Sequence, residues 1–418
     1  MKYAILTFGC RTNQADSLQL ERDLRAHGGE ESAAERADLV IVNSCAVTAT
    51  AEQAARQALR RVARLNPGAR VVLTGCYATR RPAEVAELPV WRVVPNNGKA
   101  GLTEEARIIT GQGSPSAQDS TSDTSAPGPG TGGRTIRLLR VQTGCNEACT
   151  YCIVPLTRGR SVSLPPAEVL REVSDAGSTG FKEVTLTGVH LGAYGRDLGP
   201  QASLAGLVRA LGRHPADIRF RLSAVEPMDF GLDVVDALAD SGRFARHFHL
   251  PLQHASDRIL RAMGRPYTLE RYGATLIRLC DTFPDAAIGA DVIVGFPGET
   301  EDDFEACARY LTSSPLAYVH VFPFSPRPGT RAATLDGRPR GEDVRARVNR
   351  LREVGAQLWR RFRQRFTGTE RDGLTIEDGS TVLTDNYLRV KIPAGRRRNE
   401  RVRVRVIDGG DLLEGTPV

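Results

Sequence analysis

The chain has 418 residues, is 41% hydrophobic and 25% charged, and carries a formal net charge of +7. That composition belongs to a globular protein of two to four domains with ample core. No apolar run approaches the ~20 residues of a membrane span, so no membrane partner is expected, and eight cysteines in so long a chain do not describe a disulfide scaffold.

The charge is unevenly spread. Arg331 to Arg365 holds eleven arginines against four acids, and Arg389 to Arg405 eight basic residues against one acid, so the rest of the chain is net acidic. A positive field confined to the C-terminal fifth predicts a polyanion-binding surface.

Residues 1–111 alternate strand and helix patterns. Tyr3 to Thr7, Asp38 to Val42 and Arg70 to Leu73 read as strands; Asn13 to His27, Thr50 to Leu65 and Ala83 to Leu88 read as helices. This alternation predicts a parallel sheet covered by helices. The start, Met1 to Cys10, could be mistaken for an export signal with a lipidated cysteine. Its apolar core is too short and polar Arg11-Thr12-Asn13-Gln14 follows at once, so it reads as a buried strand. A cytoplasmic protein with reduced thiols is therefore expected. Cys10, Cys45 and Cys76 each fall in a loop after one of the three strands, where an open parallel sheet gathers its ligands. Chance buried cysteines would fall inside elements, so the spacing predicts three thiolates converging on one site.

Residues 112–133 are Gly, Ser, Thr, Pro and Asp with almost no apolar residue, a flexible linker. Residues 134–366 resume the alternation, with strands at Thr135 to Val141, Glu183 to Thr187, Ile218 to Leu222, His247 to Leu250, Ile288 to Val294 and Tyr318 to Phe322. Helices fill the gaps, among them Ala167 to Asp175, Leu204 to Leu211 and Leu269 to Phe283; the arginine-rich Gly341 to Phe366 closes the segment. Six strand-helix units predict a partial (β/α)6 barrel with its site on the loops after the strands.

The first of those loops holds Gly144-Cys145-Asn146-Glu147-Ala148-Cys149-Thr150-Tyr151-Cys152. Thiolates suit an iron–sulfur cluster or zinc, and three ligands leave one metal position open. The spacing C-x3-C-x2-C, with Tyr151 before the last cysteine, resembles the radical S-adenosylmethionine (SAM) enzymes. In that family the three thiolates hold a 4Fe-4S cluster whose unligated iron takes SAM, and one electron releases a 5′-deoxyadenosyl radical. The resemblance places SAM contacts at Gly188 in Thr187-Gly188-Val189-His190 and at Gly295 in Gly295-Phe296-Pro297-Gly298-Glu299-Thr300; Glu226 in Ser223-Ala224-Val225-Glu226-Pro227 is a candidate partner of a SAM polar group, and Gln253 after Pro251-Leu252 a candidate ligand of the nucleoside or the carboxylate. His190, His249, His254 and His320 also fall near strand ends and read as structural; Cys280 and Cys307 lie in helical patterns and read as packing residues.

Two three-cysteine sites in one chain resemble the radical SAM methylthiotransferases, which carry an auxiliary 4Fe-4S cluster in a flavodoxin-like N-terminal domain. Gly9-Cys10-Arg11-Thr12-Asn13-Gln14 is similar to the Gly-Cys-Lys-Val-Asn-Gln of the threonylcarbamoyladenosine tRNA branch; Asn43-Ser44-Cys45 and Thr74-Gly75-Cys76-Tyr77 agree. At Gln253-His254-Ala255-Ser256 the chain departs from the family's Gln-Ser-Gly-Ser. Residues 367–418 change to short strands, at Asp372 to Ile376, Ser380 to Thr384, Tyr387 to Ile392 and Glu400 to Val406, and Arg401 to Val406 alternates strictly basic and apolar. This small OB-like β-barrel resembles the RNA-binding TRAM domain.

The resemblance implies an α/β enzyme with two 4Fe-4S clusters, held by Cys10, Cys45 and Cys76 and by Cys145, Cys149 and Cys152, that uses SAM. It adds a methylthio group to carbon 2 of N6-threonylcarbamoyladenosine in the tRNA anticodon stem-loop, with an external electron donor and a sulfur donor. The alternatives are an isopentenyladenosine tRNA or ribosomal-protein methylthiotransferase and, of another class, a non-catalytic RNA-binding protein with zinc at the cysteines.

Overall fold

In the computed structural model, residues 1–102, 128–129, 134–410 and 412–418 are described. All of the expected linker except Gly128 and Pro129 lies outside them. The chain forms two compact units: the N-terminal region with Thr143–Glu147 and Cys152–Ser161, and Gly128–Gln142 with Ala148–Tyr151 and Val162–Val418.

The first unit is built on strands β1 (Lys2–Thr7), β2 (Glu30–Glu31), β3 (Leu39–Ser44), β4 (Arg70–Gly75) and β5 (Arg92–Val94), in the order β2-β1-β3-β4-β5. Every described pairing in the sheet is parallel, as the alternation predicts. This is the flavodoxin-like order, with its switch point between β1 and β3. The sheet is covered on both faces, so β3 is buried throughout and reads as an unbroken apolar run ending in Asn43-Ser44. Helix α1 (Arg11–Ala26) follows β1, α2 (Ala49–Leu65) follows β3, and α3 (Cys76–Arg80) and α4 (Pro82–Ala86) follow β4. In α1 the buried face changes character along its length. Leu20 and Leu24 pack with Tyr3, Leu39 and Ile41, whereas Thr12, Asn13, Asp16 and Ser17 are buried polar residues in the first turns. Thr48 caps α2 by accepting from the Ala51 amide. A last short helix in this unit is α5 (Val154–Arg158).

The second unit begins with β6 (Arg137–Arg140); β7 (Gln142–Thr143), at which the chain passes into the first unit, and β8 (Val162–Ser163), at which it returns, come next. Beyond it, α6 (Pro166–Ser178), β9 (Glu183–Thr187), α7 (Leu204–Gly212), β10 (Arg219–Leu222), α8 (Leu232–Asp240), β11 (His247–His249), α9 (Asp257–Ala262), α10 (Leu269–Thr282), β12 (Ala287–Val294), α11 (Glu301–Ser313), β13 (Tyr318–Pro323) and α12 (Gly341–Gln364) follow in turn. The sheets β6-β9-β10 and β11-β12-β13 are parallel and are joined by bridges from Phe220 to Phe244 and from Ala224 to His249. They form the expected six-stranded partial barrel. Strand parity sets its two faces. Val319 and Val321 join the apolar cluster that Val348, Leu351, Val354 and Leu358 of α12 also enter. Tyr318 and His320 therefore face the concave side. Thr300 and Asp303 form a capping box at the start of α11.

The last fifty residues close into a barrel of β14 (Glu370–Ile376), β15 (Thr381–Thr384), β16 (Arg389–Lys391), β17 (Arg401–Gly409) and β18 (Leu412–Pro417), in the order β14-β15-β16-β18-β17. Val402, Val404 and Val406 are buried while Arg401, Arg403 and Arg405 are exposed, the predicted two-faced strand. This barrel seals the amino-terminal end of the larger one. Ala287 and Ala317, at the starts of β12 and β13, share its core with Phe362, Phe366, Leu388 and Val390. His247 stacks on Tyr387 with ring centroids 3.9 Å apart. Buried Glu183 takes Arg221 Nε at 2.9 Å and Arg219 Nε at 2.8 Å, and the Arg221 guanidinium also donates to the carbonyls of Thr384 and Asp385 at 3.3 Å each. Burial opposes the Glu183 charge, but the two guanidiniums prevail and hold its carboxyl below its ordinary range.

The C-terminal charge is less available than its count suggests. Arg347 pairs with Glu299 and Glu301, Arg350 with Glu305, Arg389 with Glu377, Arg401 with Asp217, and Arg403 and Arg405 with Glu370. No described helix is long and apolar enough to cross a membrane.

Candidate active site

Parallel pairing aligns the carboxyl ends of β1, β3 and β4, so the residues just past them meet. Cys10 is the residue before α1, Cys45 follows Ser44 directly, and Cys76 is the first residue of α3 rather than a loop residue as expected. Cys45 and Cys76 are buried and Cys10 is exposed. Gly9 has φ of +95° and packs so tightly on Cys45 that a Cβ there would overlap the Cys45 Cβ and Sγ. Gly75, with φ of +99°, lies against the Ser44 backbone, where a Cβ would strike the Ser44 carbonyl. Burial pushes the Cys45 thiol up to about 12, with the Cys10 and Cys76 sulfurs adding to the effect and the Val47 and Cys10 amides opposing it. Three soft thiol donors gathered at one sheet edge fit an iron cluster, whose positive charge would compensate the thiolate that burial disfavours at Cys45.

The surroundings of these thiols are polar and ordered. Asn13 Nδ2 donates to the Phe8 carbonyl at 2.9 Å and to the Ser44 carbonyl at 2.8 Å, tying the Cys10 turn to the end of β3. Asn43 Nδ2 donates to the Asn13 carbonyl at 2.8 Å. Asn96 Nδ2 donates to Cys76 Sγ at 3.5 Å and to the Thr157 carbonyl at 2.8 Å.

The C-x3-C-x2-C loop contributes Cys145 and Cys152 to the first unit and Cys149 to the second. The Cys145 amide donates to the Gly159 carbonyl at 3.1 Å, and a Cβ on Gly144 (φ +70°) would collide with the Arg160 carbonyl. In the second unit, Thr150 is held through its amide to Met263, its hydroxyl to Ala262 and its carbonyl to Ala332. Tyr151 packs beside Ile259, Met263, Phe296 and Ala332.

Arg265, which no motif in the sequence marks, donates from Nη1 to Cys149 Sγ at 3.2 Å and from Nη2 to Glu226. It also lies over the Tyr267 ring at 4.9 Å. Burial works against its charge, but Glu226 leads the anionic neighbours, with Cys149 among them, that hold it above its usual range. Glu226, a candidate SAM contact, pairs with Arg265. Gly188 packs on Gln142 and Leu191, so a side chain there would be crowded. Gln253 is buried with φ of +64°, uncommon for a residue with a Cβ; its amide donates to Asp291 and its carbonyl accepts from Ile293. Gly295 (φ +79°) and Phe296 donate their amides to buried Glu299, which also pairs with Arg347 at 3.1 Å. Glu299 is thus the staple of its loop rather than part of the acidic first turn of α11.

Of the histidines, His190 is buried against Asp229 at 2.6 Å, and His254 is buried with Nδ1 accepting the Ser256 amide at 3.0 Å. His249, Asp291 and His320 come together on the concave face of β11, β12 and β13. His249 Nε2 is 3.0 Å from Asp291, and one ligand-capable atom of each lies within 4.8 Å of the others. Asp291 and His320 are register partners, a proximity that strand parity alone would have exposed. Cys307 is buried in α11 and its thiol is pushed up to about 12 by burial; it and Cys280 pack in the main core.

A parallel half-barrel whose first strand runs in the chain into a C-x3-C-x2-C motif, with a second set of thiols on a flavodoxin-like sheet, is the pattern of a radical SAM enzyme with a further thiolate site. Comparison with known proteins agrees. The family model described as Radical SAM superfamily matches residues 139–311, and that described as Uncharacterized protein family UPF0004 matches residues 2–94. The chain is 35% identical to "Threonylcarbamoyladenosine tRNA methylthiotransferase MtaB" of Aquifex aeolicus, covering 97% of this chain and 100% of that one. Its identity to the same-named protein of Bacillus subtilis is 32%, over 93% and 89% of the two chains. For "tRNA-2-methylthio-N(6)-dimethylallyladenosine synthase" of Thermobifida fusca it is 34%, over 98% and 84%. Among solved structures, the radical SAM methyltransferase TsrM from Kitasatospora setae, with tryptophan and a SAM analogue bound, shares the fold at a TM-score of 0.57 and 16% identity, over 79% of this chain and 75% of that one. The chain belongs to the radical SAM methylthiotransferases of the threonylcarbamoyladenosine (MtaB) type.

Proposed function

We propose that this protein places a methylthio group on carbon 2 of N6-threonylcarbamoyladenosine in the anticodon stem-loop of tRNA, in the cytoplasm. The observation that carries the reading is the meeting of Cys10, Cys45 and Cys76 at the carboxyl edge of the flavodoxin-like sheet, in a chain that also holds the C-x3-C-x2-C loop. Acid–base side chains cannot replace the inert C2–H bond with C–S, so the cofactors supply the hard chemistry: radical generation from SAM and a source of sulfur. Cys145, Cys149 and Cys152 would hold the cluster that works with SAM, and Cys10, Cys45 and Cys76 the auxiliary 4Fe-4S cluster.

The side chains position and insulate. Arg265 fixes the Cys149 sulfur and orients Glu226. Tyr151, Gly188, Glu226, Gln253 and Gly295 would border SAM, all of them on loops that follow barrel strands or, for Tyr151, on the cysteine loop itself. The concave trio His249, Asp291 and His320 offers donors and acceptors for a polar nucleoside. The exposed arginines of β17 suit tRNA phosphates, which give affinity without base readout. An external one-electron donor and a sulfur donor complete the reaction.

A second reading, the isopentenyladenosine substrate, is favoured by the Thermobifida relative at 34% identity. Nucleoside mass spectrometry separates the two. Anaerobically reconstituted enzyme, given one tRNA with threonylcarbamoyladenosine and one with isopentenyladenosine, should methylthiolate the first only. Product on the second alone would overturn the assignment.

A further inference from the structure

Beside the Cys10–Cys45–Cys76 site lies a buried ionic group that has no part in the chemistry proposed so far. Arg158, at the end of α5, donates from Nη2 to Asp16 Oδ2 at 2.9 Å and to Asn13 Oδ1, and from Nη1 to Thr143 Oγ1 at 3.1 Å. The Arg158 and Asp16 side chains are only 5% and 6% exposed. Lys99 Nζ reaches the same Asp16 oxygen at 2.9 Å. Two cations therefore share one carboxylate in a dry setting.

A lone buried ion pair is weak evidence for stability, because desolvation offsets the attraction. This group has a second cation, and its neighbours say where that charge is directed. Burial disfavours the Arg158 charge; Asp16 first, then the Cys76 and Cys10 thiols, outweigh it and hold the guanidinium above its ordinary range. Cys76 is also among the charges that bear on Lys99. Asn13, which accepts from Arg158, is the residue that ties the Cys10 turn to the end of β3. Asn96, which donates to Cys76 Sγ, also holds the carbonyl of Thr157, next in the chain to Arg158.

We infer that Arg158, anchored by Asp16, is a positioning residue of the auxiliary centre that sets a fixed positive charge beside its thiolates and so raises the centre's reduction potential. The inference rests on the reading that these thiols hold an iron–sulfur cluster. Reduction adds one electron to a cluster that already bears thiolate charge. Each fixed cation nearby stabilises the reduced form more than the oxidised one, because charge and hydrogen bonding around the sulfurs set the potential. Asp16 works in the opposite direction, since it neutralises part of that charge while holding it in place.

The test uses the full chain with Cys145, Cys149 and Cys152 replaced by Ala, so that only the auxiliary centre can form. Iron content is measured first: a chain that binds no iron after anaerobic reconstitution refutes the cluster itself, independently of Arg158. In the iron-loaded chain, the potential is read by EPR-monitored redox titration. Arg158→Gln should move it more negative, Asp16→Asn more positive, and Arg158→Lys should leave it near the parent value. Should Arg158→Gln fail to fold, Asp16→Asn and Arg158→Lys carry the decision. A purely structural role predicts no opposed shifts. Iron-loaded variants with unchanged potentials, or with both neutralising changes moving the potential the same way, overturn the inference.

Discussion

Arg265 reaches Cys149 through Nη1 and Glu226 through Nη2, so one guanidinium joins a cysteine of the C-x3-C-x2-C loop to the loop after β10. A hydrogen bond from a charged donor contributes about 1.5–3 kcal/mol. Arg265→Ala should therefore slow reductive SAM cleavage by roughly ten- to a hundredfold. Arg265→Lys should recover only part of this, since an ammonium cannot span both partners. Deoxyadenosine release under dithionite is the measurement.

The two cysteine sets are expected to fail differently. Cys149→Ala should abolish SAM cleavage and product alike. Cys45→Ala should leave SAM cleavage intact but uncoupled, with no methylthiolated nucleoside. Product formation by Cys45→Ala at the parent rate would remove the first unit's thiols from the chemistry.

Removing the C-terminal barrel is a poor probe of RNA binding. Truncation at Thr367 would strip Thr384 and Asp385 from buried Arg221 and expose Ala287, Ala317 and Phe362. It should lower the melting temperature or cost solubility. The sharper experiment is Arg403→Gln with Arg405→Gln. Both side chains are 59% exposed and share Glu370, so little stability is at stake. For every phosphate that the variant no longer neutralises, the salt dependence of tRNA binding should flatten by about one unit of slope. An unchanged slope would place the RNA surface elsewhere.

His254 gives the enzyme an acid-labile element. Burial lowers its pKa from 6.5 to about 4; Asp303 opposes this, and Arg258 and Arg347 add to it. The unfolded chain takes up the proton first as pH falls. The contribution is therefore full above pH 6.5 and is lost progressively down to about pH 4, on the order of 3 kcal/mol in all. His254→Ser should make stability flatter across that window in denaturant titrations at stepped pH.

Much of this was legible in the chain itself. Strands that alternate with amphipathic helices gave the sheet, the half-barrel and the placing of Cys10, Cys45 and Cys76 just past their strands, though Cys76 opens a helix and not a loop, because burial of both faces of a parallel sheet enforces long apolar runs. Short elements escaped. β2 and β5 are two and three residues long, and β18, Leu-Leu-Glu-Gly-Thr-Pro, carries too little alternation to announce the strand that closes the last barrel. Side-chain partnerships escaped too. Arg265 lies 116 residues from Cys149, and Arg158 lies 142 from Asp16. No periodicity links such residues, although the polar inner face of early α1 was a visible departure from the pattern of a packing helix. The arginine count misled in one respect, since many of those guanidiniums are already matched by carboxylates.

Gly9 brings no atom to the reaction, yet its missing side chain is the space that Cys45 occupies. A methyl group there would evict a sulfur while leaving every thiol present in the chain. Surveys that identify competent members of this family by their sulfur complement alone would pass such a protein as intact. Position 9 therefore decides competence as much as the ligands it accommodates.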